Sequence, residues 1–405
     1  MDEAVQTPLS ALHRPFRRRV FYIPGYDPIH PRRYRELYRK EGRDQAAISG
    51  YSLTLTPKVS KEPYGWRVDA DIGGQVQAEV EVLVWSDIVR GSMAQGIAAT
   101  YLQLVRTAGA YILTGALFRL MRLRKGPTIA ALYPIGMLLL QMAVALGTGY
   151  GLFRLGGLVH PVLGIVVGLA TFVQILRGFR KYDSRLFAFY LMHDYAYSAQ
   201  SLGANPPELE ARILEFRKII ADAMAEPFDE VLVVGHSSGA HLAVSVLADM
   251  IREGLPAEHP ALGLLSLGQV MPMISFLPRA QRLRRDLHYL AAREELTWVD
   301  VTAPGDGCAF ALCDPVAVTG VSPEGKLWPL VISAAFTQTL SPERWKALRW
   351  RFFRLHFQYL CAFDRPGDYD YFQITAGPVT LADRYRGRAP SKSRIETAQS
   401  GYRSR

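Results

Sequence analysis

Residues 230–240 read Glu-Val-Leu-Val-Val-Gly-His-Ser-Ser-Gly-Ala, an apolar, β-branched run that stops at Gly235-His236-Ser237-Ser238-Gly239 and leads into a helical pattern. The run reads as a buried strand, and the Gly-x-Ser-x-Gly break after it reads as a nucleophile elbow with Ser237 at its tip. A serine hydroxyl pushed out of a sheet on a tight strand-to-helix turn tolerates no crowding side chains beside it. Gly235 and Gly239 remove that crowding. Downstream, Ala240, Ala243, Val244, Leu247 and Ile251 recur at helical spacing, so the helix they form can lie against the strand. His236 adjoins the serine, but neighbours on such a turn point in different directions. It is expected to line the pocket or pack beside the sheet.

A serine alone is a weak nucleophile, so an elbow calls for a histidine base and an acid that fixes the histidine tautomer. Residues 296–303 (Leu-Thr-Trp-Val-Asp-Val-Thr-Ala) read as a strand, and Pro304-Gly305-Asp306-Gly307 bends directly after it. That places Asp306 at a strand's carboxyl end as the first candidate acid. Asp314, in Cys313-Asp314-Pro315-Val316, is the alternative, although an Asp-Pro pair more often starts a turn. Asp300 lies within the strand and fits less well. Of nine histidines, only His356 follows both acids, in the chain order serine, acid, histidine that such enzymes use. Its aromatic setting, Phe352-Phe353-Arg354-Leu355-His356-Phe357-Gln358-Tyr359, would keep water from a base; a satisfied core histidine is the other reading. An oxyanion needs donors as well, normally the N–H after the nucleophile and one from the loop after an early strand. Ser238 supplies the first, and Tyr26, in Ile23-Pro24-Gly25-Tyr26-Asp27, is expected to supply the second.

In these pieces the chain resembles the α/β-hydrolase superfamily, of the serine esterase and lipase type. The matching parts are the early strand with its Pro-Gly loop, the Gly-His-Ser-Ser-Gly elbow, the strand Leu264-Leu265-Ser266-Leu267-Gly268, the strand leading to Asp306, and His356. The resemblance implies an α/β-hydrolase-like doubly wound sheet, with Ser237, Asp306 and His356 as nucleophile, acid and base, and Tyr26 and Ser238 as oxyanion donors.

One departure stands out. Residues 126–153 contain no charged residue, Arg154 interrupts, and residues 155–176 are again uncharged. Each stretch reaches the ~20 residues that cross a bilayer core as a helix. We expect an inserted two-helix transmembrane hairpin, spans about 127–153 and 156–176, with Arg154 in the turn because a mid-bilayer arginine costs about 2.5–3.5 kcal/mol. Pro134 and Pro161 leave a shallow re-entrant hairpin as the alternative. Arg119, Arg122, Arg124 and Lys125 precede the hairpin, and Arg177, Arg180, Lys181 and Arg185 follow it. By the positive-inside rule both ends are cytoplasmic. The stretch 96–120, interrupted by Arg106, reads as an amphipathic surface helix rather than a third span.

The organisation that follows is a basic N-terminal segment (1–17), a first part of the hydrolase domain (18–95), the amphipathic and hairpin insertion (96–184), a second part carrying the triad (185–383), and a disordered basic tail (384–405). Residues 66–70 and 76–84 should pair across Gly73-Gly74, 209–224 should form a helix before the elbow strand, and the charged run 279–293 reads as a surface helix. The turn Asp364-Arg365-Pro366-Gly367-Asp368-Tyr369-Asp370 reads as solvated. Met1–His13 has two acidic residues and no long apolar run, unlike a secretory signal.

Three cysteines, irregularly spaced, form neither a disulfide framework nor a metal motif, and no phosphate-cradling glycine loop is visible, so no cofactor and no metal is expected. The formal charge is +10. It gathers in Arg14–Arg19, around the hairpin, in Arg279–Arg285 and after Asp383, which suits anionic headgroups of a lipid bilayer better than nucleic acid, for which no recognised fold is present. The expected function is a membrane-anchored serine hydrolase on the cytoplasmic side of a bacterial-type inner membrane, cleaving a small acyl ester, lipidic or otherwise apolar, through an acyl-serine. Acyl transfer by the same serine, or a non-catalytic interaction protein on the same scaffold, are the alternatives.

Overall fold

In the first strand, β1 (Phe16–Ile23), the period-2 alternation of a sheet buried on both faces is plain. Val20 and Tyr22 enter one core, and Phe21 and Ile23 enter the other. The computed structural model describes residues 14–58 and 62–405; residues 1–13 of the expected N-terminal segment lie outside them. The remaining strands are β2 (Ser52–Pro57), β3 (Gly65–Asp71), β4 (Gln75–Val82), β5 (Glu230–His236), β6 (Ala261–Leu267), β7 (Thr297–Thr302) and β8 (Leu330–Ser333). They form one sheet in the order β2-β3-β4-β1-β5-β6-β7-β8. The β2-β3 and β3-β4 pairs are antiparallel, the latter closing across Gly73-Gly74 as expected, and every other pair is parallel.

This is a mixed α/β fold. One core layer holds the helix before the elbow strand (Pro207–Met224), the helix after it (Gly239–Glu253) and the helix Gln281–Leu290; the other holds Arg32–Ser49 and Tyr371–Ala376. From the central β1 the chain crosses to the edge strand β2 and returns inward through β3 to β4, which pairs with β1; later it builds outward through β5 to β8 on the other side. Such a reversal opens a crevice at the carboxyl ends of the adjoining strands. Register fixes where it opens: Ile23 pairs with Gly235, so the loops after β1 and β5 leave the sheet side by side.

Between β4 and β5 the chain leaves the sheet. Two helices long and apolar enough to cross a membrane, Lys125–Gly157 (33 residues) and Pro161–Lys181 (21 residues), run against each other, and their outer faces are apolar and largely exposed. Their crossing is made by glycine. A Cβ on Gly164 would lie 2.6 Å from the Phe153 carbonyl oxygen, and one on Gly168 would lie 2.8 Å from that of Gly149. The turn differs from expectation: it falls at residues 158–160, where His160 Nδ1 accepts from Val162 N–H. Arg154 lies in the last helical turn before it, where its guanidinium donates to the Tyr150 hydroxyl. The helix runs on past the arginine to Gly157 despite its two terminal glycines, and it breaks just before Pro161, whose predecessor disfavours helix.

The stretch 96–120 forms a helix, Ile97–Leu113, that ends where Gly115 takes a left-handed conformation (φ 72°). It buries Leu104 against Leu138 of the hairpin and Phe189, Met192 and Ala196 of the helix Ala188–Ala199. Leu102, Val105, Ile112 and Leu113 face outward. The helix Ala188–Ala199 thus packs with the helices of the insertion.

Two of the basic clusters are turned partly inward. Arg18 is fully buried, paired with Glu230 at 2.5 Å and donating to the Gly377 and Val379 carbonyls, while Arg19 pairs with Glu79 and Glu81. Arg284 is also buried; the helix Gln281–Leu290 lays Leu283, Leu287 and Leu290 into the core and keeps Gln281 and Arg285 exposed. Arg18 and Arg19 meet internal carboxylates and Arg284 meets backbone carbonyls, whereas Arg14, Arg279 and Arg285 remain exposed. The tail is not disordered: Ile395 bridges Cys313, Gln399 N–H donates to the Val318 carbonyl, and the Ser404 carbonyl accepts from Arg284 Nε at 2.7 Å. A segment without periodicity is held here by backbone bonds to loops and by a buried cation that needs acceptors.

Candidate active site

At the end of β5, Ser237 sits at φ 55°, a left-handed conformation that a residue with a side chain seldom adopts and that marks strain at functional turns. The turn closes only because of its glycines. A Cβ on Gly239 would lie 2.1 Å from the Ile23 carbonyl oxygen, and one on Gly235 would lie 2.6 Å from Cα of Ala240. The β1 loop presses on the same spot, since a Cβ on Gly25 would meet Ser237 Cβ at 3.0 Å. Ser237 thereby opens into a cavity of about 530 Å³.

His356, at the end of the short helix Phe352–His356, lines the same cavity. Its Nδ1 lies 2.7 Å from Asp306 Oδ2. Asp306 is held in turn: the Cys308 amide donates to Oδ1 at 2.9 Å, and the Tyr359 hydroxyl donates to Oδ2 at 3.0 Å. Burial would raise this carboxyl's pKa, but the His356 charge and those hydrogen bonds outweigh it and hold the group below the usual carboxylate range. The result is an ionised carboxylate bonded to an imidazole that shares Ser237's cavity. Tyr359, which also accepts from Ala303 N–H, is a positioning residue that sequence reasoning missed; only its place three residues beyond the histidine hinted at it.

Asp314 is elsewhere. It caps the helix Pro315–Thr319 by accepting from the Val316 and Ala317 amides and pairs with Lys326, the turn-starting role expected of an Asp-Pro pair. Asp300 is buried within β7 and accepts from the Ser266 hydroxyl. His236 packs its ring 4.8 Å from that of His356 and donates from Nε2 to the His356 carbonyl at 3.0 Å. Burial, with the His356 charge, pushes its pKa down to about 3, so it is a neutral prop for the base.

The two residues expected as oxyanion donors come together in an unexpected way. Tyr26 N–H points at Ser238 Oγ, 2.8 Å away, rather than into open cavity. Ser238 N–H belongs to the first turn of the helix Gly239–Glu253, where amides have no intrahelical acceptor. Tyr26 and Ser238 thus form one unit in which a hydroxyl proton and an amide remain to meet a ligand.

Sequence reasoning also missed Asp194. It projects from Ala188–Ala199 into the cavity among Tyr26, Tyr190 and Tyr195. Burial pushes its pKa up to about 7, partly opposed by His356. In the sequence it was one polar residue in an aromatic helix, with nothing to mark the direction it faces.

No known protein family, curated protein or solved structure matches this chain. The site therefore rests on its own geometry. Asp306, Cys308 and His356 each present a metal-ligating atom within 4.8 Å of one another. They fit a metal poorly: the Asp306 and His356 atoms are engaged with each other, and burial pushes the Cys308 thiol well above its ordinary range, leaving it neutral. The arrangement suits proton transfer and nucleophilic attack.

Proposed function

We propose that the protein is a membrane-anchored serine hydrolase with an α/β-hydrolase-type fold, cleaving an acyl ester. The observation that carries this reading is the strained Ser237 opening into the cavity that His356 also lines, with His356 bonded to a buried, ionised Asp306. His356 Nε2 takes the hydroxyl proton as Ser237 Oγ attacks the ester carbonyl carbon. The tetrahedral oxyanion is met by the Ser238–Tyr26 unit. Collapse breaks the bond to the alcohol oxygen, which receives the proton from His356. Water then attacks the acyl-serine by the same route and releases the acid. Asp306 holds the imidazole in the tautomer with its free nitrogen toward the serine.

The anchor is the hairpin, with both ends on the cytoplasmic side of an inner, plasma-type membrane, as the flanking basic residues favour. Tyr111 and Pro127 of the insertion and Phe187 just after it line the cavity beside Ser237. That placement supports a lipidic or otherwise apolar ester as substrate.

Labelling of the detergent-purified protein with a neutral fluorophosphonate tests the reading. Wild type should be labelled and Ser237→Ala should not. A wild type that stays unlabelled while a control esterase reacts overturns it, in favour of a non-catalytic scaffold.

A further inference from the structure

On the helix Ala188–Ala199, Tyr190, Leu191, Asp194, Tyr195 and Ser198 recur at three- and four-residue spacing, so one helical face is turned to the cavity. Asp194 is the acid of that face, and the phenols near it do not serve it. Ser92 Oγ donates to the Val89 carbonyl, so the Tyr26 hydroxyl is the donor in its bond to Ser92. Tyr190 donates to the Tyr26 carbonyl, and Tyr111 donates to the Met273 carbonyl at 3.0 Å. Asp27, the other carboxylate at the cavity, accepts from Ile29 N–H, the Tyr34 hydroxyl and Arg33. Asp194 has neither a hydrogen-bond donor nor an ion-pair partner among the described residues.

Around it stands an aromatic wall. Tyr190 lies 6.3 Å from Tyr26, 6.2 Å from Phe187 and 6.0 Å from Phe353, ring centre to ring centre, and all four rings line the cavity. An unanswered carboxylate in a cavity lined by several aromatic rings is the chemistry that recognises an organic ammonium group, by charge and by ring quadrupole.

We infer that Asp194 and the surrounding aromatic rings form a subsite for an alkylammonium group, so that the favoured substrate is an acyl ester carrying a positive charge near the scissile bond. The inference rests on the serine hydrolase reading for its catalytic consequence, but the binding it claims does not need turnover. Asp194 is a specificity residue here: it neither attacks nor carries a proton in the Ser237, His356 and Asp306 steps, although the His356 charge reaches it.

The test is a matched pair of decanoate esters, one of choline and one of 3,3-dimethylbutanol, which share a shape and differ by one charge. In a neutral detergent, wild type should prefer the choline ester in kcat/KM by about tenfold or more, in the range of a desolvated cation–π contact with a countercharge. Asp194→Asn should bring the ratio close to one while leaving the neutral ester and fluorophosphonate labelling within a few-fold of wild type. The preference should grow as pH rises through about 7, because a cation is held by the ionised carboxylate. The groups facing Asp194 are Tyr26, Tyr111, Tyr190, Tyr195, Cys308 and His356, with Arg33, Asp27 and Arg354 also at the cavity. The base role of His356 and Asp306 is common to both esters; the charge of His356 is not, and the pH dependence of the ratio in Asp194→Asn, where only the Asp194 contribution is gone, corrects for it.

Tetramethylammonium provides the second arm: it should raise the apparent Tm of wild type and not that of Asp194→Asn. Labelling with no choline preference and no Tm response overturns the subsite and leaves the hydrolase standing. A Tm response without labelling keeps the subsite and removes the hydrolase.

Discussion

Nδ1 of His356 lies 2.7 Å from Oδ2 of Asp306, while Asp314, only eight positions further on, faces the amides at the start of the next helix. The two carboxylates therefore answer to different mutations. Asp306→Asn should keep the fold and lower kcat by about 10⁴, as the wrong histidine tautomer does in other serine triads. Asp314→Ala should leave kcat within a few-fold and lower Tm, since it removes a helix cap of about 1 kcal/mol and strands Lys326. Steady-state kinetics and melting of both variants decide the matter. Loss of turnover in the second and not the first would reverse the assignment.

The pKa shift of Asp194 carries a stability consequence whose sign is fixed. The folded protein holds this proton up to about 7 while the unfolded chain releases it near 3.8. Between those values the folded state binds more protons, so stability falls as pH rises through the window and levels off above it. Asparagine cannot ionise. The Tm of Asp194→Asn should therefore gain on wild type from pH 4 to pH 7 and stay ahead at pH 8, and a difference independent of pH would refute the buried-acid assignment.

What was legible in the sequence was whatever sterics or chain order forces. The elbow could be read because a Cβ at 235 or 239 has nowhere to go, and Asp306 because a strand's carboxyl end faces the crevice in a parallel sheet. His356 followed from order alone. The rest depends on contacts between distant residues. Nothing local in Arg18 announces that it meets Glu230 inside the sheet, and a run of arginines reads the same whether solvated or buried. The tail shows no period because its order comes from single backbone bonds to loops, and β8, of four residues, is too short for alternation to declare itself. Asp194 was hidden for a further reason: helical spacing tells which residues share a face but not whether that face meets water or a cavity.

The hairpin offers two independent measurements. Gly164 lies against the Phe153 carbonyl at a distance that leaves no room for a side chain, as small-residue crossings between apolar helices require. Gly164→Val should force the helices apart and lower the Tm in detergent by several degrees, whereas Gly147→Val, where a Cβ meets open space, should not.

Topology is read at the turn. Val159 is strongly exposed there, so Val159→Cys in intact cells should react with a membrane-impermeant maleimide added from outside if the hairpin spans. Protection until the cells are opened would favour a re-entrant loop.

Ser238 separates two accounts of the oxyanion. Its hydroxyl accepts the Tyr26 amide and so has its proton left for a ligand, while its own amide starts a helix. If that hydroxyl relays Tyr26 to the tetrahedral intermediate, Ser238→Ala should lower kcat by about 10² with little change in KM, the usual cost of one lost donor. If the hydroxyl instead plugs the site, removing it frees Tyr26 N–H and kcat should rise. The two outcomes differ in sign, and the charge that develops only in the transition state makes the first the expected one, because a polarised hydroxyl strengthens as the oxygen it faces becomes negative.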